Sequence, residues 1–373
     1  MARFDLAVVG AGIVGLAHAL AGARRGLRVA VLERDPHAGG ASIRNFGFVT
    51  VTGQAAGEAR RRSLRSRDVW AEIAPQAGIE VLQRGAIVVA ERPEALAVLS
   101  ELAAGPLGED CALLDAAEAR RRLPALAATV AGALWSPHEL RVEPREAIAR
   151  LARWLAERHG VTFRWGTAAL GIEEGGVRHA GGGIEAGAVV LAPGSEVAAL
   201  APEAARRAGL SQCALQMVRT RAQPASWRLP AVLMSDLSLV RYEAFAAQPS
   251  AGRLRECLAR ENPAALAHGV HLIVAQSADG SLVVGDSHRY GPSADPFASA
   301  EVEALIIAEM QRLLAPPAPE IAERWVGAYP VAEAGTLVAE PLGARSRLVA
   351  VTGGTGMSMA FAIAEETIAE LFG

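Results

Sequence analysis

Phe4-Asp5-Leu6-Ala7-Val8-Val9 runs straight into Gly10-Ala11-Gly12-Ile13-Val14-Gly15, and the reading of this stretch decides the fold. The first six residues predict a short buried strand. The glycines spell a G-x-G-x-x-G turn, and the chain continues as an apolar helix to about Arg25. Gly26 closes that helix, Leu27 to Leu32 predicts a second strand, and Glu33 stands at its end. Each part suits a dinucleotide. Gly10 permits the tight turn, Gly12 lets backbone approach a pyrophosphate, and Gly15 lets the helix lie close on the strand. The helix N-terminus presents unpaired N–H groups and a positive dipole end to Ile13 and Val14 and the phosphates they would face. Glu33 can accept hydrogen bonds from both hydroxyls of an adenosine ribose and would repel a 2′-phosphate.

Composition permits another reading of the same stretch. Leu6 to Ala23 carries no acid or arginine, and Ala19-Leu20-Ala21 resembles a leader cleavage site. That reading explains none of the glycines. We therefore expect a strand, turn and helix inside the fold, no membrane span, and a cytoplasmic protein.

The rest of the composition narrows the function. At 373 residues the chain suits two domains, and with 51% apolar and 21% charged residues it is not disordered. A net charge of −3 implies no nucleic acid partner. The chain has no lysine, which excludes Schiff-base chemistry and a Walker A site. Three scattered cysteines suggest neither disulfides nor a metal knuckle, and no metal is expected.

A second strand–glycine-turn–helix lies near the C-terminus. Leu348 to Thr352 predicts a strand, Gly353-Gly354-Thr355-Gly356-Met357-Ser358 the turn, and Met359 to Leu371 the helix. Ala188 to Ala192 is another apolar strand, ended by Pro193-Gly194. A nicotinamide enzyme needs no such C-terminal unit. A flavin enzyme does, because a helix N-terminus there can stabilise negative charge on the reduced ring. Between these segments, Gly85–Ala90, Gly132–Trp135, His271–Gln276 and Ser281–Asp286 predict further strands, and 144–159 and 300–314 predict helices.

These pieces resemble the FAD-dependent oxidoreductases of the D-amino-acid oxidase, glycine oxidase and sarcosine oxidase group. The matching residues are Gly10 to Gly15, Glu33-Arg34, Gly39-Gly40-Ala41-Ser42, Arg141-Val142-Glu143-Pro144, Val189 to Gly194 and Gly353 to Ser358, in the family's order. The resemblance implies an α/β chain: a Rossmann-like FAD domain with a second α+β domain on a mainly antiparallel sheet. The expected division is 1–80, 142–215 and 326–373 for FAD, and 81–141 and 216–325 for substrate. FAD contacts are expected from Gly10, Gly12, Ile13, Val14, Gly15, Glu33, Arg34, Ala41, Ser42, Asn45, Pro193, Gly194 and Gly353 to Met357.

Two stretches, Ala41 to Gly47 leading to Gly53-Gln54 and Gly354 to Met357 leading to Glu365-Glu366, resemble a branch associated with 2-aminoethylphosphonate breakdown. The chain departs from the parent family at Trp325-Val326-Gly327-Ala328-Tyr329-Pro330, where Tyr329 fills the slot of a carboxylate-binding arginine. A tyrosine offers one hydroxyl in place of a bidentate fork. The resemblance thus implies a small anionic amine as substrate, oxidised at its C–N bond, with O2 or another acceptor taking the electrons. Arg44, His288, Arg289, Tyr290 and Tyr329 are the expected substrate-facing residues. His271 could face a substrate but is expected first as a packed sheet histidine; Arg219 and Arg241 could neutralise a dianion but are expected first as solvated arginines. The absence of a cysteine near Tyr329 in sequence predicts non-covalent FAD.

Overall fold

Leu6, Ala7 and Val8 are wholly buried, as a strand covered on both faces requires. In the computed structural model, which describes residues 3–333 and 335–373, they form the middle of one of two sheets. That sheet runs Leu337–Gly343, Ser346–Val351, Gly182–Leu191, Phe4–Val9, Val29–Leu32 and Thr162–Arg164, edge to edge. Along this path neighbours pair in parallel except for the antiparallel hairpin at the Leu337–Gly343 edge, and Gly176–His179 and Ala169–Glu173 extend Gly182–Leu191 as an antiparallel branch. The helices Ile13–Arg24 and Gly356–Phe372 pack on one face in a shared apolar cluster, while Val197, Ala201 and Ala204 cover the other.

The second sheet is mainly antiparallel. It runs Arg289–Gly291, Ser211–Thr220, Leu282–Gly285, Ile273–Gln276, Val232–Met234, Val81–Ala90, Gly132–Val142 and Phe48–Val49. Ile321–Val331 joins it along Ser211–Thr220, in register from Ser211 opposite Val331 to Arg219 opposite Glu323, with a shift before Thr220 meets Ile321. The fold is therefore α/β, with a Rossmann-like layer beside a mainly antiparallel sheet.

Three local expectations shift. The divisions expected at 215/216 and 325/326 fall inside Ser211–Thr220 and Ile321–Val331, and both strands lie wholly in the second sheet. A continuous hydrogen-bonded ladder carries each strand past those points, so the chain changes sheets in turns. Phe48–Val49 likewise joins the second sheet. The C-terminal helix begins at Gly356, earlier than Met359. No helix among the described residues is long and apolar enough to cross a membrane.

Candidate active site

The glycine turn is built as its spacing requires. Gly10 has φ +103°, and a Cβ there would come within 2.4 Å of the Ala192 carbonyl oxygen. A Cβ on Gly15 would come within 1.8 Å of the Gly10 carbonyl, so the helix could not lie against the turn. Glu33 holds the loop: one carboxylate oxygen accepts from Ala11 N at 2.8 Å, the other from Asp35 N at 3.1 Å. Ser42 Oγ accepts from Ile13 N at 2.9 Å, tying the Ala41–Ile43 turn to the helix N-terminus. Asn45 braces the same turn, donating to Ala41 O and accepting from Gly47 N. Arg34 pairs with Glu196 at 3.4 Å, beside Pro193 and Gly194.

These residues line one cleft of about 690 Å³ between the two sheets. Its walls contain Gly10, Gly12, Ile13, Val14, Glu33, Arg34, Ala41, Ser42, Asn45, Pro193, Gly194 and Gly353 to Met357. Gly15 lies behind the wall, where it acts through helix packing. The volume is in the range of cofactor sites. Thr355 Oγ1, on the same wall, is buried with no hydrogen-bond partner among the described residues. A buried hydroxyl without a partner is costly, and a bound dinucleotide would supply one. The residues present fit FAD.

The far end of the cleft belongs to the second sheet. Tyr329 is 8% exposed, and its hydroxyl oxygen accepts from Arg241 Nη2 at 3.3 Å. Burial, reinforced by Cys213, pushes the Tyr329 hydroxyl well above the usual tyrosine range, so it stays a neutral phenol. Arg241 follows the turn Asp236–Val240, reaches the cleft, and has no carboxylate within ion-pair distance among the described residues. Its surroundings oppose a charge by burial, yet Tyr329, Tyr290 and Asp286 together hold the guanidinium more firmly protonated than usual. Arg241 is thus a cation in the cleft wall, and its side chain is exposed there. Arg219 instead pairs with Asp279 and donates to Ser281, away from the cleft.

Of the expected substrate residues, Arg44, His288, Tyr290 and Tyr329 line the cleft. Arg289 does not. On the extended segment His288-Arg289-Tyr290 alternate side chains face opposite ways, and Arg289 turns outward to pair with Asp295 at 3.0 Å. The backbone of Arg44 is pinned by Trp325 Nε1, which donates to its carbonyl at 3.1 Å, while its side chain is exposed.

His271 also sits in the cleft wall, at variance with a purely packed sheet role. Its Nε2 lies 3.0 Å from Asp286 Oδ1, and His288 Nε2 lies 3.9 Å from Asp286 Oδ2. Burial pushes His288 down to about 4, against the pull of Asp286. Burial would raise Asp286, but His288, His271 and Arg241 hold it below the usual carboxylate range. Asp286 is absent from the residues expected from the sequence. Asp286-Ser287-His288 carries the one legible signal, because residues two apart on an extended chain share a face.

Cys213 corrects another expectation. It lies directly opposite Tyr329 across two paired strands, although far from it in sequence. The thiol is fully buried, absent from the cleft wall, and pushed above its ordinary value by burial.

Among solved structures, the chain is similar to glycine oxidase from Geobacillus kaustophilus, with TM-score 0.77 and 22% identity over 100% of this chain and 95% of that one. It is similar to L-proline dehydrogenase from P. horikoshii, with TM-score 0.76 and 21% identity over 99% and 93%. A third is iminodiacetate oxidase from Chelativorans sp. BNC1, with TM-score 0.71 and 18% identity over 98% and 95%. These likenesses show the fold. Among curated proteins no sequence matches the chain. The family model described as "DAO: FAD dependent oxidoreductase" matches residues 5–370. With nearly every residue matched, the chain belongs to the DAO family and is an FAD-dependent oxidoreductase.

Proposed function

We propose that this enzyme oxidises the C–N bond of a small anionic amine, 2-aminoethylphosphonate or its N-methyl form, giving an imine that water hydrolyses to an aldehyde. FAD would lie along the cleft without a covalent bond. Gly10, Gly12, Ile13 and Val14 would meet its pyrophosphate, Glu33 and Arg34 its adenosine end, and Gly353 to Met357 its ring. When bound, FAD supplies the hydride acceptor. Residues 81–141 and 216–325, with the strands flanking Tyr329, would form the substrate side. Three free cysteines suit a reducing cytoplasm.

The observation that carries this reading is Arg241 on the Tyr329 hydroxyl, 3.3 Å apart at the far end of the cleft. A phosphonate has three oxygens and up to two charges, and such a group is met by an arginine together with hydroxyls. Arg241, Tyr329 and Tyr290 provide that set, and Arg44 can approach from the other wall. Phe46, Leu215, Met217 and Ile273 make the cleft between them apolar. An apolar wall disfavours an ammonium, and so favours the neutral amine from which hydride can leave.

A second reading has its own support. Arg241 alone can fork a carboxylate, and the similar structures include a glycine oxidase and an iminodiacetate oxidase. Anaerobic mixing with a panel of amines separates the two. Bleaching of the flavin band should be faster with 2-aminoethylphosphonate or its N-methyl form than with glycine, sarcosine, proline or D-alanine. A faster amino acid makes the second reading correct. No bleaching with any amine would favour a non-catalytic or RNA-modifying flavoprotein, which the net charge of −3 argues against. Whether O2 or another acceptor reoxidises the flavin follows from admitting air to the bleached sample.

A further inference from the structure

Three side chains in the cleft wall take no part in the binding just described. His271, Asp286 and His288 are 3%, 6% and 8% exposed, and one donor atom from each lies within 4.8 Å of the other two. Their hydrogen bonds let each ring keep its proton on Nδ1, the form that a metal ion selects. His288 Nδ1 lies 3.0 Å from the Gly269 carbonyl, which can only accept, so Nδ1 carries the proton and Nε2 is a bare lone pair. His271 Nδ1 lies 3.2 Å from Ser238 Oγ, and that hydroxyl donates to the Leu272 carbonyl at 3.3 Å. In that arrangement the Ser238 oxygen accepts from Nδ1, and His271 Nε2 is also bare. It then stands 3.0 Å from Asp286 Oδ1, a buried oxygen with no other hydrogen-bond partner among the described residues. Lone pairs converging in a buried wall are unfavourable without a cation between them.

We propose that His271, Asp286 and His288 form a binding site for one divalent transition-metal ion, opening on the substrate end of the cleft. Two imidazoles and a carboxylate suit zinc, iron or cobalt, and leave coordination positions open. A protein oxygen holds the second nitrogen of each ring, Ser238 Oγ for His271 and Gly269 O for His288, as metal-bound histidines require. All three ligands line the same cleft as Arg241 and Tyr329, so an open position faces the space where an anionic oxygen of the substrate would lie. The site depends on no particular substrate.

FAD-loaded protein, stripped with chelator, tests this by calorimetric titration with Zn2+ and by Co2+ absorption beyond the flavin bands. One equivalent should bind per chain. His288→Gln and Asp286→Asn should weaken binding by more than about 100-fold, and Ser238→Ala, which touches no metal, by about ten- to a hundredfold. His159→Gln, on a helix end far from the cleft, should leave it unchanged. Retained FAD affinity shows that each variant is folded. No stoichiometric binding by the wild-type protein, or binding that survives loss of His288, overturns the proposal. A proton shared by His271 and Asp286 would then occupy the gap.

Discussion

Glu33 spends both carboxylate oxygens on backbone amides, Ala11 N and Asp35 N. A carboxylate has about four acceptor positions, so the loop bonds leave room for a ribose diol. Glu33→Ala should therefore weaken FAD binding about ten- to a hundredfold, the equivalent of roughly 1.5–3 kcal/mol for charge-assisted bonds. Quenching of FAD fluorescence measures it, and an unchanged affinity would mean that the acid serves the loop alone. At the other end, Arg241→Met should raise KM and lower kcat/KM by about 2–4 kcal/mol, because it leaves the substrate anion unpaired in the cleft. Tyr329→Phe removes one neutral donor and should cost about 0.5–1.5 kcal/mol. Arg289→Ala should stay near wild type, since its partner Asp295 lies at the surface. A larger loss at Arg289 than at Arg241 would refute this assignment of the two arginines.

The helix Ile13–Arg24 carries a consequence of its own burial. His18 is wholly buried within it; its Nδ1 donates to the Val14 carbonyl at 2.7 Å, and its Nε2 has no partner. Burial pushes its pKa down to about 4, with the Val14 bond opposing. The folded protein thus binds fewer protons at His18 than the unfolded chain, whose histidine titrates near 6.5. The stability linked to this group is present above pH 6.5 and is lost as pH falls toward 4, in total on the order of 3 kcal/mol. Urea unfolding at several pH values should show His18→Leu with a shallower acid slope than wild type. Identical slopes would place the acid sensitivity elsewhere. The helices Glu58–Gln76 and Gly356–Phe372 are held differently, through Arg61 and Arg62 on Glu366 and Arg65 on Glu365. Glu365-Glu366, part of the sequence resemblance, thus has a structural role at the surface.

Across the whole molecule, the cleft is the seam between two sheets, and its walls come from both. A ligand bound there stabilises both layers. FAD at 100 times its Kd should add about 2.7 kcal/mol and raise Tm with FAD concentration. Among the described residues no cysteine lines the cleft, and the thiol of Cys213 is fully buried opposite Tyr329. Acid precipitation should therefore leave a colourless pellet under a yellow supernatant. A yellow pellet would mean a covalent bond.

The amino-acid sequence by itself determined the elements whose physics is local. Phe4–Val9, the glycine turn, Val29–Leu32 with Glu33, and Pro144–His159 are all legible, because apolar period, glycine and proline act on their own few residues. The arginine-rich helix Glu58–Gln76 is not legible that way. Its mean hydropathy is low, and it is fixed by ion pairs and by Trp70, which donates to Met357 O at 2.9 Å. The substrate end needed the tertiary structure throughout. Arg241 lies far from Tyr329 in sequence, and Cys213 is brought opposite that tyrosine only by strand pairing. His271 meets Asp286 because the two flank the paired strands Ile273–Gln276 and Leu282–Gly285 and exchange backbone hydrogen bonds just beyond them. Arg289 faces away from the cleft for the same reason that His288 and Tyr290 line it: strand alternation sends neighbours to opposite faces, and only the sheet decides which face meets the cleft.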